Sequence, residues 1–380
     1  MAHKIDRLRC AKLRPSSLGL PPYTTAGGGR DGGHLSGLGV CIRLLRGAFS
    51  ALDPPAGTRH SERAPARVKV SVAFARSQCI KGRKRESKGG DVKFGLRYCN
   101  TGPYVDGVPA LELIQAGEEA GFESAWTVEH TVVPEGYTSS YPYAESGKMA
   151  GGMDDIPLPD PLIWMAFVAS ATSKINLATG ILILPQHNPV LAAKQIATLD
   201  HLSRGRILLG IGVGWLREEF DALGVPFDDR GPRTDEYVGV MRELWGADRP
   251  KFSGDYYNFD GAYCRPQPVN RSVPIIVGGH SKAAARRAGR LGDGFFPARG
   301  ASEELIGLVR ETARQHHRDP DAIEITASLP DDLDDIPKLA ALGVNRLLVP
   351  VSPMAGLATV IKTPKDALAW REHIERFAEV

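Results

Sequence analysis

Glu129 and His130 close a short apolar run, FESAWTV, at residues 122–128. Imidazole is the side chain best suited to exchange a proton near neutral pH, and a carboxylate beside it can orient or tune it. The pair gains weight from its place at the end of a strand-like segment, because the C-terminal ends of parallel strands form the working rim of α/β barrels. The other histidines carry less. His187 falls in a loop, His201 on a helix beside Asp200, and His316-His317 at a solvated helix end where neighbouring residues diverge and chelate poorly. There is no HExxH and no Ser-His-Asp order, and no metal site is expected.

Two glycine turns are the second kind of candidate. Gly210-Ile211-Gly212-Val213-Gly214 ends a buried strand reading and leads through Trp215 into a helix, and bare backbone there lets amides approach a ligand closely. It is not a dinucleotide fingerprint, because the third glycine of GxGxxG is missing and the first βα unit has none; the Walker A pattern is absent too. The second turn, Gly278-Gly279-His280-Ser281, closes a strand and opens a helix. Ser281 can cap that helix, and the amides of Gly278 to Ser281 can converge on an anion, aided by the helix dipole. Each turn alone also reads as an ordinary tight connection. Two of them on strands successive in sequence allow one ligand to bridge both.

The elements that must position these groups alternate from Val92 onward, the pattern of a parallel sheet with helical crossovers. Strands are expected at Val92–Tyr98, Phe122–Val128, Ile175–Leu182, Arg206–Val213, Pro274–Val277, Gly294–Phe296, Ile323–Ser328 and Val344–Val349. Helices are expected at Pro109–Ala120, Asp160–Thr172, Pro189–Ser203, Arg233–Trp245, Ser281–Leu291, Glu303–His317, Asp334–Leu342 and Pro364–Phe377. Eight of each predict a (β/α)8 TIM barrel with loop insertions, and the count of eight is the reason to prefer closure over an open doubly wound sheet. The insertions are a Tyr/Gly/Pro-rich loop between Val132 and Pro159, which reads as a mobile lid, and residues 250–273 with a hairpin around Lys251–Phe259.

Charge divides the chain. Residues 1–90 hold 18 Lys/Arg against 5 Asp/Glu, out of totals of 47 and 44, so the rest is acidic and the net +3 averages two unlike parts. The overall balance is therefore no argument for nucleic acid. Residues 1–91, with clusters such as AGGGRDGGH, show no sustained period and are expected to be a disordered extension. With no Met between Met1 and Met149, Val92 is a candidate native start, and 1–91 is then no part of the native protein. Three of the five cysteines lie in that segment and no CxxC occurs, which argues against a disulfide framework or structural zinc. No secretory signal pattern and no membrane-length apolar run are present, so a cytoplasmic protein is expected.

Three runs carry a resemblance: AKQIATLDHLSRGR from Ala193, GIGVGWLREEFDALGVPFDDRGPRTDE from Gly210, and PIIVGGHSKAAARRAGRLGDGFFP from Pro274. In order and spacing they resemble the bacterial luciferase-like flavin and deazaflavin oxidoreductases, over Val92 to the C-terminus. The opening KFGL and the compact length look most like the branch that uses the deazaflavin coenzyme F420. The resemblance implies a barrel carrying the cofactor ring over its mouth, generally in a homodimer. Position by position, it places the family's acidic-His pair on Glu129 and His130, with His130 near the reacting face; many relatives have Asp where Glu129 stands. It places a backbone bulge, often containing a cis peptide that supports the ring, at Gly180-Ile181. The turn after strand four falls on Gly212, Val213, Gly214 and Trp215, and the phosphate loop on Gly278, Gly279 and His280. The activity expected is hydride transfer between F420 and a small organic substrate, with His130 handling the proton. A reduced-FMN monooxygenase, a non-catalytic flavin or deazaflavin carrier and a non-flavin barrel lyase are the rivals. Tyr137, Tyr141, Tyr143 and Trp164 either face a ring or pack.

Overall fold

Period-two alternation sorts the side chains of each strand into two cores. In β1 (Lys93–Arg97) Phe94 and Leu96 point outward into the layer shared with the helices, and Arg97 points inward. In β2 (Ser124–Thr127) Ala125 faces out and Trp126 in. The computed structural model describes residues 92–149, 153–353 and 357–378, and the expectations for residues 1–91 fall outside these.

The remaining parallel strands are β3 (Asn176–Thr179), β4 (Ile207–Gly212), β5 (Ile275–Gly278), β6 (Gly294–Phe296), β7 (Glu324–Ser328) and β8 (Val344–Pro350). Each pairs in parallel with the next in sequence, and β8 pairs back onto β1 with Lys93 opposite Arg346. Closure removes both sheet edges, so the sheet is a barrel. Its interior is filled by Trp126, Ala178, Ile276, Phe296 and Leu348, a plug separate from the larger outer core beneath the helices. Gly95 belongs to this plug, since a methyl group there would sit 2.7 Å from Ser124 Oγ and 3.0 Å from Trp126 Nε1.

The helices are α1 (Gly107–Ala120), α2 (Pro161–Ala169), α3 (Pro189–Ser203), α4 (Arg217–Ala222), α5 (Arg230–Gly246), α6 (Lys282–Leu291), α7 (Glu303–Gln315), α8 (Ile336–Ala341), α9 (Pro364–Ala369) and α10 (Arg371–Arg376). Asn188 caps α3 through the amides of Val190 and Leu191, with Pro189 in its first turn. Two expected elements are interrupted. The third strand stops at Thr179 and resumes as Leu182–Ile183, and the Gly180-Ile181 peptide between them is cis. The final helix breaks at Trp370 into α9 and α10. The hairpin lies at Lys251–Ser253 and Asn258–Asp260. No helix of the described residues is long and apolar enough to cross a membrane.

Candidate active site

At the C-terminal end of the barrel a cavity of about 540 Å³ is lined by residues from six of the eight strand ends or the loops that follow them, together with the start of α6. Glu129, His130, Gly180, Ile181, Gly212, Val213, Gly214, Trp215, Gly278, Gly279, His280 and Ser281 all line it. The corners after β4 and β5 are neighbours because those strands pair, Ile211 opposite Val277. Around them stand Arg97 and Tyr98 from the end of β1, Tyr141 and Tyr143 from the loop after β2, Phe296 from β6, and the arginines 230, 287 and 299.

His130 and Glu129 do not act on each other. Consecutive extended residues point to opposite sides. His130, its side chain 8% exposed, places Nδ1 2.9 Å from Glu219 Oε2. Glu219 lies in α4, is fully buried, and also accepts the amides of Thr131 (2.6 Å) and Val132 (3.3 Å) on Oε1. A fixed carboxylate on Nδ1 selects the tautomer that leaves Nε2 as the nitrogen available to a reactant. Glu129 turns the other way, accepting the amide of Ile183 and holding His187 Nε2 at 2.8 Å. The expectation that the adjacent carboxylate orients His130 is thus corrected: Glu219, 89 residues on, does so. Burial opposes charge on His187, but the hydrogen bond and charge of Glu129 outweigh it and raise its pKa. His280 shifts downward, from burial and from the neighbouring Arg299 cation.

The glycines also have a packing role that the sequence does not show. A methyl group on Gly212 would stand 2.8 Å from Ile181 Cγ1, and one on Gly278 2.5 Å from Ile181 Cγ2. The space beside both corners is taken by Ile181, so these glycines let a single side chain sink between the strand ends as the floor of the cavity. Glu129 braces that floor, since its acceptor bonds fix Ile183 and His187 just beyond Ile181. At the second corner Gly279 N–H is spent on Phe296 O (3.1 Å), and Ser281 Oγ accepts Ala284 N–H as the cap of α6. The His280 backbone lies within hydrogen-bond reach of the Tyr143 hydroxyl, and the Ser281 amide has no backbone acceptor among the described residues. Arg230 donates to Gly214 O and Phe227 O, and Arg287 pairs with Asp235.

The loop after β2 is tied down as well as draped over the mouth. Glu218 accepts both N–H and O–H of Thr138 and the amide of Ser139; partial burial works against its charge, but these bonds hold its pKa down to about 2. Trp215 is enclosed by the rings of His130 (5.8 Å), Tyr137 (5.5 Å) and Tyr141 (5.0 Å). Tyr141 and Tyr143 face the cavity, Tyr137 is buried with its hydroxyl accepting the Met149 amide, and Trp164 packs in the outer core, donating to Tyr104 O. Sequence reasoning passed over Glu218 and Glu219 because acidic residues in a helix's first turn are ordinary. It passed over Arg97 because an arginine at a strand end is ordinary too. Among the described residues no cluster of three or more potential metal ligands occurs.

Comparison with known proteins adds five findings. The family model described as luciferase-like monooxygenase matches residues 100–342. An uncharacterized protein of Mycobacterium tuberculosis strain H37Rv is 31% identical over 243 residues, 63% of this chain and 83% of that protein. An F420-dependent glucose-6-phosphate dehydrogenase of Mycobacterium tuberculosis strain CDC 1551 is 32% identical over 252 residues, 64% of this chain and 69% of that one. Among solved structures, the coenzyme F420-dependent tetrahydromethanopterin reductase of Methanopyrus kandleri superposes with a TM-score of 0.59 at 18% identity, covering 76% of this chain and 99% of that chain. A monooxygenase from Streptomyces bottropensis superposes with 0.56 at 20% identity, covering 75% and 99%.

Proposed function

The chain belongs to the luciferase-like monooxygenase family, and from that premise we propose that it is an oxidoreductase transferring a hydride between coenzyme F420 and a small organic substrate. The observation that carries this reading is the convergence on one cavity of an imidazole set by a buried carboxylate and two backbone corners floored by Ile181. The mycobacterial F420-dependent relative supports the choice of cofactor.

The residues present fit a phosphorylated deazaflavin. Ile181 offers an apolar surface for a flat ring, and the Ser281 amide at the start of α6, with no backbone acceptor among the described residues, suits a phosphate. Arg230 and Arg287 stand beside the same corners. Gly180, Gly212, Val213, Gly214, Trp215, Gly278 and Gly279 complete the proposed binding surface. Bound there, the deazaflavin supplies the carbon that gives or takes the hydride. The protein's own share is placement and one proton. His130, locked through Nδ1, gives or accepts that proton at Nε2, and the loop carrying Tyr141 and Tyr143 excludes water from the mouth. Glu129 acts at one remove, as a positioning residue for the Ile181 floor.

The second reading is a monooxygenase using reduced FMN, which the shared fold of the Streptomyces bottropensis enzyme keeps in view. Titrating the apo-protein separately with F420 and FMN, followed by tryptophan quenching, decides between them. Saturable quenching by F420 alone is expected; binding of FMN alone would overturn the proposal. With a substrate in hand, His130→Ala should lower kcat by about 10²-fold or more while F420 affinity holds, as removal of a general acid-base does. A carrier without turnover would have no rate to lose.

A further inference from the structure

Two arginines are buried inside the barrel, and their surroundings differ. Arg346, 1% exposed, lies between Glu123 (2.8 and 2.9 Å) and Glu324 (3.0 Å) and bonds Thr326 Oγ1. Arg97, 6% exposed, has no carboxylate within ion-pair distance among the described residues. Its Nη1 donates to Ser328 Oγ at 2.7 Å, and its Nε has no acceptor. Its guanidinium lies against the rings of Tyr98 (4.6 Å) and Phe296 (4.8 Å). Aromatic faces attract a cation but do not complete its hydrogen bonds. An unpaired buried charge is costly, and the protein has solved that cost for Arg346 at the closed end of the barrel but not for Arg97 at the open end. Arg97 lines the cavity, so the missing anion can arrive there as a ligand.

Topology says which ligand. The corners suited to phosphate follow β4 and β5, with Arg230 and Arg287 beside them. Arg97 ends β1, four strands from β5 in either direction around the barrel, and it adjoins β2, which delivers His130. Its guanidinium is turned toward β6 and β7, against Phe296 and Ser328, so a small ligand held by it reaches His130 across the cavity that both residues line. With Nη1 occupied and Nε out of reach of solvent, Nη2 is the donor left to a ligand, and a carboxylate oxygen gives it a charged acceptor. Resting on the proposed F420-dependent hydride transfer, we infer that the substrate is a small organic carboxylate whose anionic end is held by Arg97, with its reducible or oxidisable carbon toward His130.

The test is isothermal titration of the full chain, without and with F420, using a panel of three- to eight-carbon 2-enoic and 2-oxo acids, each beside its neutral amide. At least one acid should bind about tenfold or more tightly than its amide, the scale of a charge-assisted bond. In Arg97→Gln that preference should vanish while F420 affinity stays within about twofold. Arg97→Lys should retain a weaker preference, because the charge remains and the guanidinium's fixed placement through Ser328 is lost. Thermal melting checks the fold of each variant, and Arg97→Gln should melt no lower than wild type, since it removes an uncompensated charge. The inference is overturned if no acid outbinds its amide, if Arg97→Gln keeps the preference, or if inorganic phosphate outcompetes every acid at Arg97. Loss of F420 binding alongside intact acid selectivity would sink the cofactor proposal and leave the subsite standing.

Discussion

Glu219 does three jobs with two oxygens, and at this scale the site is most sensitive to it. It takes the His130 ring nitrogen and the amides of Thr131 and Val132 with no exposure to water. Glu219→Gln puts an NH2 group where donors already point, so a loss of about 1–3 kcal/mol is expected in a urea melt, together with a fall in kcat larger than any change in F420 affinity. His187 gives a pH signature. Its pKa is raised in the folded chain, so the stability it contributes is complete below its unfolded value of about 6.5 and is lost as pH rises through the higher folded value. Melting temperatures of wild type and His187→Gln should differ most at acidic pH and converge in alkali; a gap that widened with pH would contradict the Glu129 pairing. His130 and Glu129 were legible as candidates in the sequence. Their partners were not, because both lie more than fifty residues away and adjacency along the chain misassigned one of them.

Among the elements, the break in the third strand and the two glycine corners form one unit. Ile181 fits because positions 212 and 278 carry no side chain, and each added methyl would overlap it. Gly212→Ala should therefore displace Ile181 and weaken F420 binding by about tenfold or more, a cost comparable to overpacking a tight site. The double variant Gly212→Ala with Ile181→Ala should recover part of that loss, measured by the same quenching titration; independent, additive losses would argue against the shared contact. From sequence the corners are recognisable as glycine turns at strand ends. What fills the space beside positions 212 and 278 is not legible there, since a sequence does not say whether a ligand or a neighbouring side chain approaches a glycine. The loop after β2 was read as a mobile lid, and its anchorage by Glu218 and Glu219 depends on α4, a six-residue helix whose importance lies in what it touches.

Across the whole molecule, the two ends of the barrel divide the work. The closed end is held by Arg346 between Glu123 and Glu324, with Lys93 bonded to Glu324. Burial pushes both carboxylates up, but the Arg346 charge prevails and holds them below the usual carboxylate range. The stability they contribute is present above about pH 4.3 and is lost as pH falls through their depressed folded values. Arg346→Met should cost about 3–5 kcal/mol at neutral pH by leaving Glu123 uncompensated, and should flatten the acid limb of the melting curve. An unchanged acid limb would show that the network is not what titrates there.

The alternation of strand and helix segments, the count of eight and the glycine turns at strand ends are one-dimensional facts, and they determined the barrel and the rim on which the site lies. Periodicity records which face of an element is buried, and burial is what closes a sheet around a core. Which carboxylate holds His130, which side chain fills the glycine corners and which arginine is left without a counter-charge were decided only by the tertiary structure. Those are relations between residues brought together by closure, over separations at which the chain keeps no local signal.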